Sequence, residues 1–186
     1  MRWIFFVILA WLLVVLQTTI GRLLMYDGLT IGTIGPDLVA PLAVFLSLCV
    51  RRSKDAVIAA CLLGFMLDLT TAGANGSVAV VGPMAIGYAV AGTMLFHVRE
   101  AFFRERLGTQ VLLTLGFGLI AHGTWVSLQS LLAYGQTSWG EYGRMLLQAA
   151  AISGCSAVLA PLEFYLLNKA EGWLVPLPAG RVRRRR

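Results

Sequence analysis

Apolar positions run through this chain in long blocks, interrupted by short polar or glycine-rich breaks. Trp3 to Ile20 is almost wholly apolar, with Gln17, Thr18 and Thr19 near its far end. At about 1.5 Å per residue it is long enough to cross about 30 Å of hydrocarbon. With no A-x-A-like cleavage site before Arg22, it reads as a permanent first span over 3–20. The glycine-rich stretch that follows carries Arg22, Asp27 and Asp37 and is expected to form an extracytoplasmic loop or a re-entrant piece. A second span, 36–50, opens at Pro36, Asp37 and Leu38, because proline suits a first helical turn and an acid suits the positive end of a helix dipole. Arg51 to Asp55 forms a basic turn, and further spans are expected over 56–71, 77–96, 109–134 and 144–168. The pattern therefore predicts an all-α, polytopic membrane domain of six helices over 1–169, followed by an unfolded basic tail over 170–186.

Small residues mark where these helices should approach one another. Ala60, Gly64 and Asp68 fall on one stripe of the third span, Pro83, Gly87 and Ala91 on one stripe of the fourth, and Ala150, Gly154 and Ala157 on one side of the sixth. Asp68 needs a reason, since a carboxylate in hydrocarbon costs roughly 2.5–3.5 kcal/mol on insertion scales. Two readings stand side by side: it caps or hydrogen-bonds the following loop, Thr70 to Ser77, for packing, or it fixes an outer surface for a partner helix. Gly73, Asn75 and Gly76 give that loop its turn chemistry. His97 to Gly108 alternates arginines and glutamates around Phe102 and Phe103, as an amphipathic interfacial segment would. Pro161 is expected to kink the last helix, and Lys169 to reach Glu163.

Composition agrees: 58% of residues are hydrophobic and 13% charged, too little polar surface for a soluble globule. The net charge of +6 reflects topology and not nucleic-acid binding. If both termini are cytoplasmic, thirteen of the basic residues lie inside and only Arg22 and Arg144 outside, a strong positive-inside bias. Cys49, Cys61 and Cys155 lie in apolar runs without C-x-x-C spacing and are expected as buried thiols, with no metal site and no cofactor. No nucleotide-binding, serine-hydrolase or zinc-protease motif occurs. Ser127 lies about 140° round a helix from His122, so Ser127, His122 and Asp68 make no catalytic set, and no catalytic residue is expected. His122, Ser127 and Gln129 read instead as hydrogen-bonding glue between helices.

The order of these features resembles the MreD rod-shape-determining proteins. The residues that carry the resemblance are Pro36, Asp37 and Leu38, then Gly64, Phe65, Asp68 and Leu69, then Gly76 in the loop and Gly87 and Tyr88 in the fourth span. It covers about 1–92; beyond that only length and span count match, and the arginine-rich tail departs from the family. The resemblance implies a non-enzymatic subunit of the cell-wall elongation complex in the bacterial cytoplasmic (inner) membrane. It implies an MreC-type bitopic partner and work beside a RodA-type glycosyltransferase, a class B penicillin-binding transpeptidase and actin-like MreB. It also implies a fold similar to the substrate-binding components of energy-coupling-factor transporters. A second reading keeps that fold as a small-molecule-binding transporter component, with Trp125, Gln129 and Asp68 lining an outer pocket. An intramembrane enzyme is a third.

Overall fold

The computed structural model describes residues 2–28, 32–71, 81–99, 107–132 and 138–174. They form an all-α architecture of six helices: α1 (Trp3–Leu23), α2 (Ala40–Cys49), α3 (Ser53–Thr71), α4 (Pro83–Val98), α5 (Leu107–Leu132) and α6 (Trp139–Leu174). Three of them, α1, α5 and α6, are long and apolar enough to cross a membrane. The helix α3 has the length, at 19 residues, but carries Lys54, Asp55 and Asp68. At about 1.5 Å per residue, α2 and α4 rise only about 15 and 24 Å, short of a bilayer's hydrocarbon.

The shortest helix is the centre of the fold. Every residue of α2 from Ala40 to Ser47 is buried, with α3, α4, α5 and α6 packed around it. An apolar surface on all sides is what a fully enclosed helix requires. Phe45 meets Phe164 of α6 edge-on, with ring centroids 5.8 Å apart. By contrast the apolar side chains that α1 buries are the stripe Phe6, Ala10 and Val14, and Ile4, Val7 and Trp11 are exposed.

Backbone-close contacts join the outer helices. A Cβ on Gly64 would lie 2.5 Å from the Met84 carbonyl oxygen and one on Gly87 2.4 Å from that of Ala121, so α3, α4 and α5 touch where only glycine fits. A Cβ on Gly118 of α5 would lie 2.7 Å from the Ser153 hydroxyl oxygen of α6, so this contact is with a side chain. The expected α6 stripe does not pack in this way: Ala150 is exposed and the space beside Gly154 is open, while Ala157 is buried. The packed face of α6 is set by Ala149, Ser153, Ala160 and Phe164.

Several boundaries differ from those the sequence suggests. Residues Tyr26–Gly28 (β1) and Gly32–Ile34 (β2) pair antiparallel, and the Gln148 side chain donates to the Thr33 carbonyl at 2.7 Å, so part of the expected loop is a hairpin tied to α6. The helix α2 starts at Ala40 and not Pro36, because the backbone before it is held by side chains in a non-helical course. Helix α6 starts five residues before the expected 144, since Ser138 and Glu141 form a reciprocal capping box: the Ser138 N–H donates to Glu141 at 2.9 Å and the Glu141 N–H to the Ser138 hydroxyl at 3.3 Å. It continues to Leu174, past the expected end of the membrane domain at 169, with Pro161 inside it. Lys169 lies over the Tyr165 ring at 4.6 Å instead of reaching Glu163. Cys155 is exposed and Cys49 and Cys61 half-buried, so the thiols are not enclosed as expected. The loop over 72–80, most of the 97–108 segment and the tail beyond 174 lie outside the described residues.

Candidate functional site: a buried polar seam

A helix that starts inside a protein presents N–H groups with no partner in its own spiral, and these must be satisfied by something else. From Asp37 to Pro41, where the chain enters α2, each is accounted for. The N–H of Asp37 donates to Ser156 Oγ at 2.7 Å, that of Leu38 to Gln17 Oε1 at 2.7 Å, and those of Val39 and Ala40 to Asp37 Oδ1 at 2.9 and 3.3 Å. Pro41, next in line, has no N–H to satisfy. Gln17 also donates to the Pro36 carbonyl at 2.9 Å, so one amide from α1 clamps the chain on both sides of Asp37.

The other oxygen of Asp37 faces the bundle. Oδ2 accepts a hydrogen bond from the hydroxyl of the fully buried Tyr88 and lies 3.5 Å from His122 Nε2. The Nδ1 of His122 faces the Gly118 carbonyl at 3.0 Å, where it can only donate, and the Nε2 side of the ring faces the carboxylate. Tyr88 packs edge-on against Phe117 at 5.0 Å. Glu163 of α6 stands near Asp37 and Tyr88, and both its oxygens are closed off from solvent with no hydrogen-bond partner among the described residues. Asp37 thus joins α1, α2, α4, α5 and α6 through one carboxylate and the backbone beside it.

Asp68 performs the same task for α4. Gly82 precedes that helix at φ 126° and carries no side chain that could cap it. Asp68 reaches over from α3 and accepts from the N–H groups of Gly82, Met84 and Ala85 at 2.9, 3.1 and 3.2 Å. Met84 and Ala85 are the positions a local capping side chain would serve. Asp68 therefore caps the start of α4; most of the Thr70 to Ser77 stretch, the other expected source of donors, lies outside the described residues.

Of the residues singled out from sequence, Pro36, Asp37, Gly64, Asp68, Gly87 and Tyr88 are buried at helix contacts. Asp37 and Tyr88 are bonded to each other, and Gly64 and Asp68 both hold the start of α4. Phe65 does not join them: it is 42% exposed, on the outer face of α3 with Leu69. Gly76 lies outside the described residues. His122 faces Asp37 and not Asp68, while Ser127 bonds the Gly123 carbonyl and the Tyr142 hydroxyl across α5 and α6. A cavity of about 360 Å³ between these two helices is lined by Ser127, Ser130, Leu131, Trp139 and Tyr142, not by Trp125, Gln129 or Asp68. Among the described residues, no three histidines, cysteines or acids come together to hold a metal ion. Sequence reasoning passed over Gln17 and Ser156, whose partners are 19 and 119 residues away; the only signal was a polar residue in an otherwise apolar helix.

Comparison with family models, curated proteins and solved structures returns no match for this chain.

Proposed function

We propose that the protein is a non-enzymatic membrane scaffold of the MreD type, a subunit of the bacterial cell-wall elongation complex that positions an MreC-type bitopic partner and the peptidoglycan synthase. In this reading it crosses the cytoplasmic membrane six times, has both termini in the cytoplasm, and shares the general fold of the substrate-binding components of energy-coupling-factor transporters. The observation that supports it best is what the resemblance-bearing residues do. Asp37, Tyr88, Gly64, Asp68 and Gly87 are occupied in capping and close-packing helices. A protein whose distinctive side chains hold its own frame rigid is suited to placing other proteins, and the exposed apolar faces of α1 and α3 provide surfaces on which a partner helix can lie. Topology is consistent: the first half of α1 lies beside the last turns of α6, so these two ends of the described chain share one end of the bundle with Arg51, Arg52, Lys54 and Arg99.

The test is affinity purification of the full chain from a bacterial membrane that contains the elongation proteins. A bitopic coiled-coil partner is expected to come with it in defined stoichiometry. If no such partner is retained and a small molecule is recovered instead, the transporter reading takes its place. Reporters at Lys54 and after Arg186 should read cytoplasmic and one at Asn75 external; a cytoplasmic signal at Asn75 would overturn the six-span topology.

A further inference from the structure

Because α1 meets the rest of the bundle along only one narrow stripe, it leaves a groove against the end of α6. Ile8, Leu9, Leu12 and Leu166 line it, with Phe5 and Lys169 toward one end, and it has a volume of about 600 Å³. That is within the ~300–1,000 Å³ typical of sites for small ligands. The groove is apolar along its length and basic at its mouth. Lys169 is exposed there, its ammonium resting on the Tyr165 ring with donors still available. Arg2, whose carbonyl receives the first helical N–H of α1 from Phe6 at 3.1 Å, is exposed at the same end. Among the described side chains that end also carries Arg51, Arg52, Lys54 and Arg99, against Asp55.

In a bilayer an apolar groove of this kind fills with hydrocarbon, yet the filling itself selects nothing, since lipid tails are as apolar as leucine. Selection must come from the mouth, where two cations meet the headgroup layer. We propose that the groove between α1 and α6 is a binding site for one anionic phospholipid, with an acyl chain along Ile8, Leu9, Leu12 and Leu166 and its phosphate paired to Lys169 and Arg2. Basic pockets between membrane helices recognise anionic headgroups in this way, and each cation near the surface contributes a preference of about fivefold. The site stands independently of the scaffold reading, requiring only that the chain lies in a membrane.

The experiment offers the delipidated full chain equimolar phosphatidylglycerol and phosphatidylcholine with identical acyl chains in mixed micelles, and counts retained lipids by native mass spectrometry. Wild type is expected to retain phosphatidylglycerol at least about fivefold over phosphatidylcholine. The Lys169→Gln, Arg2→Gln double variant should fall to near parity, and Leu12→Trp, which fills the groove from an exposed helix, should lose the retained lipid while its circular dichroism stays unchanged. Parity in wild type would overturn the proposal. So would a preference that survives in the double variant, or one abolished by Arg51→Gln with Arg52→Gln, which lie at the same end of the bundle but outside the groove.

Discussion

Helices α1 and α2 are made of similar residues and live in opposite surroundings. Both are apolar on every side, but α2 is enclosed by four other helices, whereas most of α1 faces outward. Their polar needs differ accordingly. In the long helix α1, Gln17 is the polar residue among the described side chains that bonds another element. The short helix α2 begins inside the bundle and needs Asp37, Gln17 and Ser156 to receive its first N–H groups. Hydropathy therefore does not separate a protein core from a lipid-facing surface. What separates them is where the unsatisfied backbone goes, and it is there that the buried polar residues of this protein are found.

Substitutions at the two helices should break this contrast if it is wrong. Asp37→Leu is expected to do most damage, on the order of 4 kcal/mol, because it leaves two backbone N–H groups and the Tyr88 hydroxyl without their acceptor. Denaturant titration in mixed micelles measures it, and a near-wild-type midpoint would show that the seam is not required. Gly64→Leu should cost about 3 kcal/mol by pushing α4 off α3, whereas Leu62→Phe on the half-exposed outer face should be mild. Equal thermal midpoints for the pair would remove the glycine contact from the account. Leu42→Ala, at a fully buried position of α2, should cost about 3 kcal/mol through the cavity it leaves. For Asp68→Leu a loss of about 2 kcal/mol is expected, and for Asp68→Asn about half of that, since the amide oxygen still accepts from α4. Smallest is Ile4→Ala on the outer face of α1, within about 0.5 kcal/mol. If Ile4→Ala and Leu42→Ala cost the same, α1 and α2 are not in different environments after all.

The candidate site was partly legible. Asp37 and Asp68 stand out because an acid in apolar sequence must have a partner, and Gly64 and Gly87 because small residues at helical spacing mark close approach. For Asp68 a capping role was foreseen but not its donors at the start of α4, since the cap crosses from α3 to a helix preceded by a glycine with no capping side chain. The S-x-x-E box at Ser138 was readable and overlooked, which placed the start of α6 too late. Glu163 was assigned to Lys169 on spacing along one helix, but its environment comes from Asp37 and Tyr88 on other elements.

What the sequence by itself determined is the helical, apolar character of the chain, the approximate position of each helix, and the need for partners at two buried acids. These follow from composition, periodicity and the cost of unpaired charge, which are local properties. Only the tertiary structure decided that the shortest helix is the core, that Gln17 and Ser156 complete the start of α2, and that Tyr88 and His122 converge on Asp37. Those contacts link residues between 21 and 119 positions apart, and Leu38 with Gln17 and Asp37 with Ser156 are the two limits. Which residues meet over such distances depends on how six helices stack around one another, and apolar sequence is nearly indifferent to that choice until backbone donors must be satisfied.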